Sequence, residues 1–231
     1  MLYYYGIDWT YVVLVLPAVI FALIAQIKVN STFEKYNKIA TRNGMTGYRA
    51  AYMVLEQNGI FDVKVEHIPG NLTDHYDPRA KVIRLSDATY ASNSAAAVGV
   101  AAHEAGHAVQ HAREYAPIKV RSAIIPVTNI GSKLTLPLIL IGGLFAIQPL
   151  VNLGIAFFAI STLFQLVTLP VEFDASNRAM KSLRSSGSMD EGELTASRKV
   201  LTAAAMTYVA ALAVSLMQLL RLILIFGRRN D

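Results

Sequence analysis

The chain has 231 residues, of which 54% are hydrophobic and only 16% are charged, whereas an average soluble domain has about 25% charged residues. This composition excludes a disordered chain and argues against a fully soluble domain; because cysteine is absent, any metal must be bound by His, Asp or Glu. The net charge of +5 comes from basic residues beside apolar runs, which indicates contacts with anionic lipid headgroups and not with nucleic acid.

Four apolar stretches predict about four transmembrane helices, because a helix needs about 20 apolar residues to cross a hydrocarbon core of about 30 Å. The second stretch is short, so we expect it to form a hairpin with the third that turns near Gln148 and Pro149. The first is expected to be a retained anchor, because no Lys or Arg precedes it as in a signal peptide. The alternative is a soluble protein with buried helices. The stretches cover residues 11–27, about 134–147 with an extension over 124–130, 150–169 and 200–226.

Basic residues predict the orientation of these spans. Nine of them follow the first span or lie between the third and the fourth, and both segments fall on the same side of a four-span protein. By the positive-inside rule that side is the cytoplasm. Arg228 and Arg229 oppose this orientation, but they are two residues against nine. The nine are Lys28, Lys35, Lys38, Arg42, Arg178, Lys181, Arg184, Arg198 and Lys199.

Two helices are predicted in the long segment after the first span. Thr46 can cap a helix that runs to Asn58, where the following glycine stops it. Ser92 or Ser94 can cap an alanine-rich helix that continues to about Ala112. The segment is therefore predicted to form a small domain that contains both helices and strands.

Two strands are predicted between these helices. Residues 62–68 alternate loosely, residues 69–71 form a turn signal, and residues 81–85 alternate strictly. We expect the second strand to be half-buried or to lie at an edge of a sheet. Such an edge could pair with an extended peptide substrate, or could simply be protected by its charges.

The alanine-rich helix carries His103-Glu104-Ala105-Gly106-His107, which has the pattern H-E-x-x-H. Residues four apart lie on one helix face, so both imidazoles can reach one ion, and zinc accepts neutral imidazole nitrogen in tetrahedral geometry. Glu104 can then take the proton of a water held by the metal, because it follows the first ligand directly. The alternative is a helix whose histidines are only hydrogen-bonded.

A catalytic zinc site of this type needs a third protein ligand. His111 lies about 12 Å along the helix from His103, which is too far for one ion, and His67 and His75 lie beside turn residues. Glu172 is the better candidate, because it follows the third span on the same side of the membrane as the two histidines. Asp174 competes with it, but on a helix the two carboxylates point about 200° apart.

The joint pattern of H-E-A-G-H, a membrane hairpin and L-P-V-E-F-D-A-S-N-R-A resembles the YugP-type membrane zinc metallopeptidases, also called neutral zinc metallopeptidases. The resemblance also covers residues 72–79, 84–86, 154–158 and 201–205, and so spans nearly the whole chain. It implies a metal-dependent membrane protease with His103, His107 and Glu172 as ligands and Glu104 as base.

The broader relatives are gluzincins of the HtpX and CAAX-processing type, which usually carry Asp four residues after the ligand Glu, oriented toward a ligand histidine. Here that position is Ser176. The partner of the ligand histidines therefore stays open between Asp174 and Asp87.

Three side chains are candidates for stabilising the oxyanion or binding substrate, namely Arg178, Tyr76 and His75. Arg221 in the fourth span is expected to snorkel or to pack against other helices.

The sequence thus predicts an α+β fold: a helical integral membrane protein with about four transmembrane helices and a small cytoplasmic zincin-like domain carrying the HExxH helix. We expect a zinc endopeptidase with one Zn²⁺ per chain, in a bacterial plasma membrane, that cleaves membrane-associated proteins near the cytoplasmic surface in protein quality control. The predicted parts are an anchor (1–29), the zincin-like domain (30–122), a hairpin (123–171), a cytoplasmic segment with the third ligand (172–199) and a C-terminal helix with its tail (200–231).

Two other functions are open. One is a zinc-containing membrane scaffold or regulator with little proteolytic activity, against which the retained Glu104 argues, because a structural site needs no base. The other is a transporter or channel, which the few polar residues in the spans disfavour. Expected partners are protein or peptide substrates and the lipid bilayer, with a scaffold partner or a second copy of the chain also open.

Overall fold

The computed structural model of the chain describes residues 3–4 and 7–227. It is mostly helical, with four long apolar helices and a small sheet. In chain order the elements are β1 (Tyr3–Tyr4), β2 (Ile7–Asp8), a π-helical turn (Tyr11–Val15), α1 (Leu16–Tyr36), α2 (Gly47–Gln57), β3 (Lys64–His67), β4 (His75–Asp77), β5 (Val82–Leu85), α3 (Ala95–Ala112), α4 (Ala116–Leu144), α5 (Gln148–Ser185) and α6 (Glu191–Phe226).

Four helical segments are long and apolar enough to cross a membrane, in agreement with the predicted number. The second is longer than its apolar core, because α4 continues over polar residues and through Pro126 and Pro137. Only three residues, 145–147, separate the end of α4 from the start of α5, so the turn of the hairpin lies directly before the predicted Gln148 and Pro149. The segments are Tyr11–Tyr36, Ala116–Leu144, Gln148–Ser185 and Glu191–Phe226.

The chain forms two compact units. The first, called here the apolar-helix unit, comprises Met1–Gln26, Lys119–Leu169 and Thr207–Asp231. The second, called the mixed unit, comprises Ile27–Ile118 and Pro170–Met206.

Within the apolar-helix unit, small residues let the two arms of the α4–α5 hairpin approach closely. A Cβ atom added at Gly154 would lie 3.1 Å from the carbonyl oxygen of Thr135, and one at Gly142 would lie 2.8 Å from the backbone nitrogen of Val151. Close approach of backbones at glycine is typical of helices packed in a membrane.

Arg221 is packed within the same unit. Its Nε donates a hydrogen bond to Asp8 Oδ2 at 3.0 Å, and its guanidinium lies 5.6 Å from the centre of the Tyr11 ring. Less than a fifth of either charged side chain is exposed. Of the two predicted alternatives for Arg221, the structure therefore shows packing against neighbouring side chains and not snorkelling. Arg228 and Arg229 lie outside the described residues.

The mixed unit contains the predicted helix α2. Thr46 caps it by accepting a hydrogen bond from the backbone N–H of Arg49 at 3.3 Å, and the chain leaves the helix through Gly59, whose φ is +71°. A positive φ is readily adopted by glycine, which explains why the helix stops there.

The sheet of the mixed unit has the order β3-β5-β4. Strand β5 pairs in parallel with β3 and antiparallel with β4, so it is the central strand. The prediction of an edge strand at 81–85 is therefore wrong, and a peptide substrate cannot pair with it. The cause is burial on both faces, since Val82, Ile83 and Leu85 are all buried.

Helix α3 is the core of the mixed unit. Ser94 caps it by accepting from the N–H of Ala97, and most of its alanine side chains are fully buried. Ser197 on α6 donates to the carbonyl oxygen of Ala95 at 2.7 Å, which holds the start of α3 against α6. The helix is thus fixed on several sides before it reaches the H-E-x-x-H motif.

Candidate metal centre

The glycine of the H-E-x-x-H motif sets how closely α3 approaches α5. A Cβ atom added at Gly106 would lie 2.5 Å from the carbonyl oxygen of Ala175, closer than real Cβ contacts. Any larger residue would force the two helices apart. Gly106 therefore allows the close packing of α3 against α5, in addition to the two histidines that the motif supplies.

Helix α5 brings Glu172 to the two histidines of α3. Its Oε2 lies 3.3 Å from His103 Nε2 and 3.6 Å from His107 Nε2, and one ligand atom of each residue lies within 4.8 Å of the others. Among the described residues, this is the group of His, Asp and Glu that could hold a metal ion. Glu172 is 3% exposed, and both imidazoles are mostly buried.

The spacing of Glu172 from the two histidines fits zinc. Two ligands bound to zinc at about 2.0–2.1 Å in tetrahedral geometry lie about 3.3 Å apart. The two separations from Glu172, 3.3 and 3.6 Å, are close to this value. Two imidazoles and one carboxylate are also a donor set found in catalytic zinc sites, which leave a fourth position open.

Nearby carboxylates make this region favourable for positive charge. Burial alone lowers the pKa of His107, but the Glu172 carboxylate, 3.6 Å from its Nε2, and the negative charge of Glu104 raise this pKa above its ordinary value. Glu104 is half-buried on α3 and lies close enough to act on His107. The same carboxylate charges that favour a proton favour a cation.

Each histidine has a partner at its other ring nitrogen. Ser176 Oγ lies 3.0 Å from His103 Nδ1, and Gln110 Oε1 lies 3.0 Å from His107 Nδ1. Ser176 occupies the position at which the broader relatives carry Asp, so a hydroxyl takes the place of that carboxylate. Neither residue was predicted as a partner of the histidines.

The two predicted partners are placed differently. Asp174 is linked to His107 through Gln110, because its Oδ2 accepts a hydrogen bond from Gln110 Nε2 at 2.8 Å. The alternative, Asp87, is wrong as a partner of the ligand histidines. Its carboxylate instead contacts His67 Nε2 at 2.7 Å and accepts from the N–H of Gly70 at 2.9 Å.

The other histidines are not part of the three-residue group. His67 is paired with Asp87, and His75 Nδ1 lies 2.9 Å from the carbonyl oxygen of Thr73. The ring of His111 packs against the ring of Tyr76, with 5.6 Å between their centres. The preference for Glu172 as the third member of the group agrees with this arrangement.

Of the candidates for oxyanion stabilisation, Arg178 is engaged elsewhere. Its Nε donates to Asp174 Oδ2 at 2.5 Å, and its guanidinium lies 5.5 Å from the centre of the Tyr115 ring. Tyr76 is half-buried on β4, where burial raises the pKa of its hydroxyl. The role predicted for Arg178, Tyr76 and His75 stays a prediction.

Comparisons with known proteins agree with this chemistry. The family model described as "Putative neutral zinc metallopeptidase" matches residues 11–227 of the chain. A protein of Bacillus subtilis (strain 168), named "Putative membrane protease YugP", is 47% identical over 208 residues, which cover 90% of this chain and 92% of that protein. No solved structure matches the chain.

Proposed function

The chain belongs to the neutral zinc metallopeptidase family, and we propose that it is a membrane-embedded zinc endopeptidase that hydrolyses peptide bonds of membrane-associated proteins. The observation that carries this proposal is the convergence of Glu172 with His103 and His107, 3.3 and 3.6 Å apart, beside the half-buried Glu104. Two imidazoles, one carboxylate and an adjacent base are the protein groups that zinc-dependent hydrolysis requires.

The roles of the residues follow from their chemistry. His103, His107 and Glu172 would hold one zinc ion, which when bound supplies Lewis acidity toward the scissile carbonyl and toward water. Glu104 takes a proton from the attacking water as that water adds to the carbonyl carbon. It then gives the proton to the leaving amine as the C–N bond breaks.

The position of Glu172 along α5 supports action near a membrane surface. Glu172 lies three residues after Leu169, the last residue of the apolar run, which is about 4.5 Å along a helix axis. The nine basic residues that follow the first span or lie between the third and the fourth support the cytoplasm as that side, by the positive-inside rule. We propose membrane-associated or partly extracted chains as substrates, in a role in protein quality control.

The test uses the purified full-length protein in detergent, with zinc content and cleavage of casein or of itself measured together. Glu104→Gln is expected to keep zinc and to lose hydrolysis, because only the base is removed. His103→Ala is expected to lose both. Glu56→Gln, at an exposed position on α2, is the matched control and should behave as wild type.

Cleavage by Glu104→Gln at the rate of wild type would contradict the proposal. The alternative function, a zinc-containing scaffold or regulator, predicts full zinc content and no chelator-sensitive cleavage in the wild type. Substrates can then be sought by comparing membrane proteomes from cells with wild type and with Glu104→Gln, looking for uncut proteins that accumulate with the variant.

A further inference from the structure

Gln110 is the most deeply buried polar side chain next to the proposed metal ligands, with 0% of it exposed. Its Nε2 donates two hydrogen bonds, to the carbonyl oxygen of Val171 at 2.7 Å and to Asp174 Oδ2 at 2.8 Å. Its Oε1 lies 3.0 Å from His107 Nδ1. One amide thus connects α3 with two positions on α5, on either side of Glu172.

These contacts fix which way the amide points. A backbone carbonyl can only accept hydrogen bonds, and the Asp174 oxygen that faces the amide already accepts one from Arg178, whose Nε lies 2.5 Å away. Two acceptors therefore hold the NH₂ group of Gln110. The opposite orientation would place the amide oxygen against both acceptors, so Oε1 must face His107.

We propose that Gln110 is a positioning residue that fixes the tautomer of His107 for metal binding. Because Oε1 can only accept, His107 must carry its ring proton on Nδ1, which leaves the lone pair of Nε2 directed at Glu172. This inference rests on the proposed metal centre, but it does not rest on proteolysis.

This tautomer prepares the site for a cation. With the proton on Nδ1, His107 Nε2 and Glu172 Oε2 are two acceptors 3.6 Å apart with no hydrogen between them. Their repulsion is relieved when a cation lies between them. The hydroxyl of Ser176 can either donate or accept, so His103 is not constrained in this way, and the two histidines differ.

Gln110 also holds the backbone next to the third ligand. Val171 directly precedes Glu172, and its carbonyl oxygen accepts from Gln110 across 61 positions of sequence. The same side chain therefore orients His107 and holds α5 at the residue before Glu172. Loss of this amide is expected to affect two ligands together.

The decisive experiment is a long-range ¹H–¹⁵N spectrum of the histidine rings in the full-length, metal-free protein at alkaline pH, where imidazoles are neutral. The signals of His107 are assigned from their loss in His107→Asn. We expect the Nδ1–H tautomer in wild type and a shift toward Nε2–H in Gln110→Met, which has similar size but no acceptor.

Zinc affinity, measured by competition with a chelator, is the second readout. Gln110→Met is expected to bind zinc about 10- to 100-fold more weakly, the range typical for partners of ligand histidines. Gln57→Met, at an exposed position on α2, is the matched control and should be unchanged. A purely structural role of Gln110 would lower thermal stability without changing the tautomer.

An Nε2–H tautomer of His107 in the wild type would overturn the proposal without the need for any variant. Unchanged zinc affinity in a folded Gln110→Met protein would also overturn it. If the tautomer and affinity behave as expected while wild type shows no chelator-sensitive cleavage, the positioning role stands and the peptidase function fails.

Discussion

Both units bury charged side chains, but the ion pair of the apolar-helix unit differs from the candidate metal site of the mixed unit. In the apolar-helix unit, Arg221 and Asp8 neutralise each other, with 18% and 17% of their side chains exposed. In the mixed unit, His103, His107 and Glu172 are buried at least as deeply, with side-chain exposures of 15%, 11% and 4%. The first pair is complete by itself, because one partner donates and the other accepts.

The three-residue group differs from this pair, because His107 Nε2 and Glu172 Oε2 are both acceptors when the ring proton of His107 lies on Nδ1. The hydrogen bonds to Gln110 and Ser176 occupy the outer nitrogens of the two imidazoles, so the inner nitrogens face a carboxylate oxygen. Burying such an arrangement is costly unless a cation or protons join the atoms. A pair of facing acceptors such as His107 Nε2 and Glu172 Oε2, and not burial of charge alone, therefore distinguishes the candidate metal site from the ion pair.

The largest effect is expected from removing the carboxylate of the group. Glu172→Gln keeps the shape of the side chain but removes its charge, so zinc affinity should fall by more than about 100-fold, beyond the loss typical for the partners of ligands. Dialysis followed by competition with a chelator measures the change. Glu56→Gln, on the exposed face of α2, controls for the loss of one negative charge. Zinc binding by Glu172→Gln at wild-type affinity would remove Glu172 from the metal centre.

A smaller effect is expected from separating the two helices that carry the ligands. Gly106→Ala places a Cβ atom 2.5 Å from the carbonyl oxygen of Ala175, and overpacking of this kind costs about 1–3 kcal/mol of unfolding free energy. Zinc affinity should fall with it, because Glu172 moves with α5. Thermal unfolding and chelator competition measure the two changes.

The matched control for Gly106→Ala is Gly143→Ala in α4, where an added Cβ would lie 3.8 Å from Phe226, an ordinary contact. It should keep wild-type stability or exceed it, because alanine is the better helix former. Equal stability of both variants would show that the close approach at Gly106 is not needed.

The grouping of His103, His107 and Glu172 could be predicted from the sequence because its information is local or topological. The i, i+4 spacing places His103 and His107 on one face, and the order of the spans places Glu172 on their side. The helix caps at Thr46 and Ser94 are likewise local signals, and the structure confirms both.

The remaining features depend on contacts between distant residues. The alternation of residues 81–85 does not determine which strands pair with them. The central position of β5 follows from its pairing with β3 and β4. Gln110 gives no local signal either, because its partners Val171 and Asp174 are 61 and 64 residues away. The one available hint was a long polar side chain in an alanine-rich helix, one turn after His107.

Ser176 tests whether the outer partners of the two histidines differ. Ser176→Ala removes the contact to His103 Nδ1, and zinc affinity should fall by about 10-fold, at the lower end of the typical range, because the hydroxyl does not fix a tautomer. The measurement is chelator competition beside Gln110→Met. Ser161→Ala, which removes a hydroxyl that bonds only within α5, is the control. A larger loss in Ser176→Ala than in Gln110→Met would reverse the assigned order of the two partners.

The smallest effect on the metal is expected at the ion pair of the apolar-helix unit. Arg221→Met removes the charged partner of the Asp8 carboxylate, so unfolding free energy should fall by about 1–3 kcal/mol, between the values for exposed and fully buried pairs. Zinc affinity should not change, because the pair belongs to the other unit.

Combining Arg221→Met with Asp8→Asn should recover part of the lost stability, because the second change removes the unpaired charge. Denaturation of Arg221→Met, Asp8→Asn and the double variant in detergent measures the coupling between the two positions. A drop in zinc affinity in Arg221→Met would contradict the distinction between the two sites, because it would show that the Arg221–Asp8 pair contributes to zinc binding.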